Sequence, residues 1–139
     1  MVDWMRIYDM DPQPHGKPIL CLDFDGVIHS YKSGWKGVDV IPDPPVKGVW
    51  GWIGDALEYF EIHVYSSRSS EESGRRAIYE YIAKHGGPSL AAKLAYPNEK
   101  PRAFLTIDDR CVRFDGDWRE QRFNPEILRA YEPWYKFQK

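Results

Sequence analysis

The chain has 139 residues, with 19 Lys and Arg against 21 Asp and Glu and a formal net charge of -2. That length suits one domain able to bury roughly two-thirds of its unfolded surface, and the near balance of charge excludes a general attraction to polyanions such as nucleic acid. Its longest apolar runs, such as Ile19 to Leu22, fall far short of the roughly 20 residues a membrane helix needs, so no membrane partner is expected.

Met1 to Met10 mixes acidic, basic and aromatic residues without the apolar stretch of a secretory signal, which makes a cytoplasmic location the expectation. Cys21 and Cys111 lie far apart with no partner at metal spacing; both are read as reduced core residues. Residues 1–18 carry Pro12, Pro14, Gly16 and Pro18 and are expected to form an N-terminal arm. Ile19 to Phe24 is apolar except for Asp23, the composition of a strand buried on both faces of a sheet, and Asp25-Gly26 signals a turn.

Residues 29–46 hold Gly34, Gly37, Pro42, Pro44 and Pro45 with no lasting period, and are expected to form a flap. Val49, Ile53, Ala56, Leu57 and Phe60 then recur at helical spacing. Gly48, Gly51 and Gly54 weaken that helix by up to about 1 kcal/mol each, and close packing on the sheet would explain them. Glu61 to Ser66 reads as a second strand, and Ser69 with Glu72 as a capping box opening a helix. Ala77, Ile78, Tyr81 and Ile82 give that helix its apolar face, with Gly86 and Gly87 expected to end it. Leu90 to Tyr96 suggests a short strand, Phe104 to Ile107 a buried one, Cys111 to Phe114 a fifth, and Asn124-Pro125 the start of a last helix.

Strands alternating with helices imply a single α/β domain over residues 1–139, with a parallel sheet covered on both faces and functional groups at the carboxyl ends of the strands. Three ends are polar: Asp23-Phe24-Asp25-Gly26, Ser66-Ser67-Arg68 and Asp108-Asp109-Arg110. Carboxylates brought together there would repel unless a cation intervened, and hard oxygen ligands suit magnesium.

The order of these blocks resembles the haloacid dehalogenase superfamily over residues 19 to about 118: an apolar strand ending DxDG, a strand ending in Ser, a lysine, and a strand ending in paired acids. With no insertion larger than the flap, it is similar to the branch that lacks a large cap domain. The resemblance implies a three-layer α/β/α Rossmann-like fold and a magnesium-dependent phosphomonoesterase acting through an aspartyl-phosphate. Asp23 would be nucleophile and metal ligand, and Asp25 the general acid and base, binding metal through its main-chain carbonyl. Asp109 would be the other metal carboxylate, with Asp108 behind it; these neighbours could exchange roles. Ser66, Lys100 and the Phe24 amide would hold the substrate phosphate, with Ser67 and Lys93 as alternatives. A phosphomutase using the same nucleophile, and a noncatalytic phosphate-binding scaffold, are the rival readings.

Arg68 and Arg110 are read as structural, pairing with Asp108 or Glu72, while His29 is read as a solvated loop residue and His63 as structural. Trp35 could stack on a substrate or pack on the base of its own flap. Trp50 and Trp52 are expected in a core or interface role. Tyr131, Trp134, Tyr135 and Phe137 are expected to dock on the body; left exposed, they would mark a homodimer contact.

Overall fold

The computed structural model describes residues 16–136; most of the expected N-terminal arm and Phe137 lie outside them. The order of elements is β1 (Ile19–Leu22), α1 (Val49–Ala56), β2 (Glu61–Val64), α2 (Glu72–Gly86), α3 (Pro88–Ala92), β3 (Leu105–Ile107) and α4 (Pro125–Arg129), with short 3-10 turns at Ser67–Ser70, Gln121–Phe123 and Trp134–Lys136. The three strands form an open parallel sheet in the order β2-β1-β3, so the chain crosses over β1 on its way from β2 to β3. The fold is α/β. No helix among the described residues is long and apolar enough to cross a membrane.

All four residues of β1 are buried, as the unbroken run Ile-Leu-Cys-Leu dictates for a central strand, and β2 is buried along its whole length. Leu20, Leu22, Ile62 and Val64 pack with Val49 and Ile53 of α1 and with Ile78, Tyr81 and Ile82 of α2 in one core. Complete removal of Ile53, Ile62 or Ile82 from water stabilises the fold by about 2 kcal/mol per side chain.

Several expectations need correction. Leu90 to Tyr96 is not a strand: Pro88 and Ser89 start α3, and of this segment Ala95 alone pairs with the sheet, through an isolated bridge to His63, while Leu94 and Tyr96 pack in the core. The Phe104 to Ile107 segment pairs with β1 as expected, but it is an open edge, with Phe104 72 % and Leu105 53 % exposed. Cys111 to Phe114 has no regular structure, and Cys111 is exposed while Cys21 is buried. A Cβ at Gly51 or Gly54 would meet nothing within 4 Å, so these glycines are not explained by close packing on the sheet.

The capping box also lies elsewhere. Ser66 Oγ accepts the Arg68 N–H and Ser69 Oγ accepts the Ser66 N–H, closing the turn before α2, whose own N-cap, Glu71, has no side-chain bond. At the other end Gly87, with φ 102, caps α2 as anticipated, and the Asn124 side chain accepts from the Glu126 N–H at the start of α4.

Candidate active site

Register places the site. Leu22 pairs with Val64 on one side and Ile107 on the other, so the three strands end level and their next residues emerge together. The ladder runs slightly past the ends: the Asp23 N–H donates to Ile107 O at 3.0 Å and the Tyr65 N–H to Leu22 O at 3.0 Å. Asp23, Ser66, Ser67, Lys100 and Asp108 thereby line one small cleft of about 170 Å³, floored by Cys21 and Thr106.

Carboxylate oxygens of Asp23, Asp108 and Asp109 lie within 4.8 Å of one another at this end of the sheet. Burial, and then the shared hydrogen bond with Asp109, hold the Asp23 carboxyl well above its ordinary value of 3.8. Burial likewise raises Asp109. The pair therefore retains a proton that isolated carboxylates would release near pH 4, the response expected where like charges are crowded without a counter-ion. Three hard oxygen donors around a cavity open to water fit a divalent cation of the magnesium type.

Gly26 is what lets Asp109 come so close. Its φ is +83, and a Cβ there would lie 2.7 Å from Asp109 Cγ and 3.1 Å from Tyr135 Cε1. The last turn of the described chain then spans the two acidic loops. Trp134 Nε1 donates to Gly26 O at 2.7 Å, the Tyr131 hydroxyl donates to Asp109 O, and Arg110 Nη2 donates to the Tyr135 hydroxyl at 3.2 Å. The aromatic C-terminal segment thus docks on the site itself, with Tyr135 buried.

Of the residues expected from sequence, Asp23, Asp108, Asp109, Ser66 and Lys100 are brought together; Lys93, the alternative to Lys100, does not line the cleft. The Phe24 N–H donates to Asp23 Oδ1 at 2.8 Å, so in this structure the amide orients the carboxylate. Asp25 stands apart from the three clustered acids. Its Oδ1 is 2.9 Å from His29 Nδ1, and its Oδ2 accepts from Arg68 Nε at 2.9 Å.

His29 and Arg68 are the residues that sequence reasoning assigned differently. His29 is fully buried, not solvated, stacked on Phe24 with ring centroids 5.7 Å apart. The Asp43 backbone N–H lies 3.1 Å from His29 Nε2 and can only donate, so Nε2 accepts and Nδ1 carries the proton given to Asp25. Asp43 Oδ2, 3.5 Å from the same Nε2, is held by the Ser33 N–H at 2.8 Å instead. Arg68 is also fully buried, and its partner is Asp25 instead of Asp108 or Glu72. Its Nη1 donates to the carbonyls of Gly37, Val38 and Val40 at 2.7, 2.9 and 3.2 Å. Trp35 covers the guanidinium at 4.6 Å, so one face of the ring packs on Arg68 of the turn after β2 while the side chain stays half exposed. No sequence period could reveal these pairings, which join residues as far apart as Asp25 and Arg68.

No family model matches the chain, and no match is found among curated proteins or solved structures.

Proposed function

We propose that the chain is a magnesium-dependent phosphomonoesterase of the haloacid dehalogenase superfamily, with the three-layer α/β/α architecture of its capless branch, acting in the cytoplasm. The observation that carries this reading is the convergence of Asp23, Asp108 and Asp109 beside a cleft that also holds Ser66 and Lys100. The excess negative charge calls for a divalent cation, and the lysine and hydroxyl call for an anion next to it.

Asp23 and Asp109, with the Asp25 main-chain carbonyl, would hold the ion, and Asp108 would stand behind them. Bound there, magnesium supplies Lewis-acid stabilisation of charge on the phosphoryl oxygens. Ser66 Oγ already accepts the Arg68 N–H, which leaves the hydroxyl proton to donate to a phosphate oxygen. Lys100 opposes the phosphate charge from the rim.

A carboxylate oxygen of Asp23 would form a bond to phosphorus as the ester P–O bond breaks, and Asp25, once it carries a proton on a lone pair that His29 and Arg68 leave free, would give that proton to the leaving oxygen. Asp25 then takes a proton from water, whose oxygen displaces Asp23 and releases inorganic phosphate. Ser67, Lys100 and Asp108 are exposed, so water reaches the cleft freely and hydrolysis is favoured over return of the phosphoryl group to a sugar.

The test is a panel of phosphate esters with and without magnesium, run on the wild type, Asp23→Asn and Asp25→Asn. Turnover that needs magnesium should fall by at least about 10⁴-fold in Asp23→Asn and by about 10²- to 10⁴-fold in Asp25→Asn. Undiminished turnover in Asp23→Asn would remove the nucleophile and the reading with it.

A further inference from the structure

Arg68 joins the 35–40 stretch of the flap to the Asp25 carboxylate, as His29 joins Asp43 to the other oxygen of the same group. Its side chain is fully buried, yet it belongs neither to the acidic cluster nor to the cleft that carries Ser66 and Lys100. One edge of its guanidinium, through Nε, holds Asp25 Oδ2 at 2.9 Å. Nη1 gathers the carbonyls of Gly37, Val38 and Val40, and Trp35 closes over the plane. Three carbonyls turned toward one point are a cluster of acceptors that a charged donor serves best, and the planar fork of arginine can serve that cluster and a carboxylate together. Lysine, a single ammonium on a flexible stem, cannot reach both with the same geometry.

The other anchors of this loop are placed to make the coupling specific. The backbone of residues 41–46 is tied to the body independently: the Ser30 N–H donates to Pro44 O at 3.0 Å and the Val46 N–H to Ile28 O at 2.7 Å. Tyr81 of α2 donates its hydroxyl to Asp43 O at 2.9 Å. Residues 35–40 take their hydrogen bonds to the body from the Arg68 side chain, beside an apolar contact of Val38 with Gly74 at the start of α2. Gly74 allows this approach from below, since a Cβ there would come within 2.8 Å of the Arg68 carbonyl carbon, which presses the start of α2 against the residue.

We propose that Arg68 is a positioning residue that latches the 35–40 stretch of the flap to the carboxylate of Asp25, so that flap closure and the orientation of the acid and base are a single event. Arg68 does not touch the substrate in this scheme; it acts through Asp25, while His29 fixes the other carboxylate oxygen. The catalytic half of the proposal rests on the phosphomonoesterase reading, and the flap half does not.

Limited tryptic digestion reads the flap directly, because Lys32 and Lys36 are exposed on it and cleavage requires the local backbone to open. In Arg68→Met and Arg68→Lys, cleavage at Lys36 should accelerate by at least about tenfold relative to wild type, with cleavage elsewhere unchanged. Asp25→Asn keeps the three carbonyl contacts, so its flap should remain protected although its turnover is lost. For an ester that is turned over, Arg68→Lys should lower kcat by about 10²-fold with KM held within about threefold, the signature of misplacement and not of lost binding. Added to Asp25→Asn, the same change should have no further effect on kcat. Wild-type cleavage rates at Lys36 in both Arg68 variants would overturn the latch, and a raised KM with unchanged kcat would overturn the positioning role in favour of substrate contact. Should the Arg68 variants fail to fold, exchange of the Arg68 Nε–H in wild-type protein decides: protection for minutes or longer supports the latch, and free exchange overturns it. If the wild type hydrolyses no ester, the proposed function fails while the flap measurement still judges the latch.

Discussion

Gly26 and Gly48 form a matched pair that isolates the contact on which the acidic cluster depends. Their φ angles are +83 and +84, so alanine at either position meets the same left-handed backbone, at about 1–2 kcal/mol. Around Gly48 a Cβ would find open space, whereas at Gly26 it would lie 2.7 Å from Asp109 Cγ. Either the Asp109 carboxylate swings aside, at little expense in stability, or the whole 108–110 loop is pushed back and the crowding adds about 1–3 kcal/mol. In both cases Asp109 leaves the position from which it can share an ion with Asp23. Urea unfolding in chelator measures the first quantity, with equal m-values confirming that only stability has changed. Titration calorimetry with magnesium measures the second. Gly48→Ala should bind the ion as wild type does, and Gly26→Ala should bind at least about tenfold more weakly, a loss of about 1.4 kcal/mol. Equal magnesium affinity in the two variants would refute the assignment of Asp109 as a ligand pressed against the Gly26 turn.

Removal of the Lys100 charge should raise KM and lower kcat together for any ester that is turned over, since Lys100→Ala withdraws positive charge from both ground and transition states; steady-state kinetics reads the split. The raised carboxyls of Asp23 and Asp109 bind protons more tightly folded than unfolded. Their contribution to metal-free stability is therefore full below the ordinary aspartate value of 3.8 and is lost as pH climbs above it toward the folded values. Magnesium, which needs both groups deprotonated, should accordingly raise Tm more at pH 8 than at pH 5, as differential scanning calorimetry would record. Gly51 and Gly54 lie in α1 with nothing near a prospective Cβ, so Gly51→Ala and Gly54→Ala should each stabilise the fold by about 0.5–1 kcal/mol in urea unfolding.

What could be read from sequence follows from where local and global forces agree. β1 was legible because four consecutive apolar residues leave little choice but a strand at the centre of a sheet, and α2 because its apolar period, first-turn glutamate and terminal glycines all point the same way. Both flank the site, so the convergence of Asp23 and Ser66 could be anticipated. Residues 88–118 misled the reading because short apolar runs suit helix and strand equally. There Pro88, which starts a helix without needing its own N–H, decided for α3, while Phe104 and Leu105 gained only one strand partner and stayed open. Asp25, His29 and Arg68 lay beyond reach for another reason: their pairing depends on how the flap folds back, and a loop without period carries no signal of its return path.

The C-terminal segment bears on why so small a sheet can hold three acids in register. β3 supplies Asp108 and Asp109 yet is only three residues long and pairs on one side, so the ladder alone constrains its end weakly. Trp134 and Tyr131 add bonds to the backbone of Gly26 and Asp109, one on each acidic loop, and Tyr135 sits between them against Tyr31, with ring centroids 5.5 Å apart. Such a clamp acts on carbonyls, leaving the carboxylates themselves free to face an ion. It also accounts for the aromatic weight of residues 131–135, which contribute no strand, since large rings with one polar atom can fill space and bond to backbone together. The repulsion among Asp23, Asp108 and Asp109 is thus opposed from two directions, by the parallel ladder beneath them and by the aromatic clamp at their side.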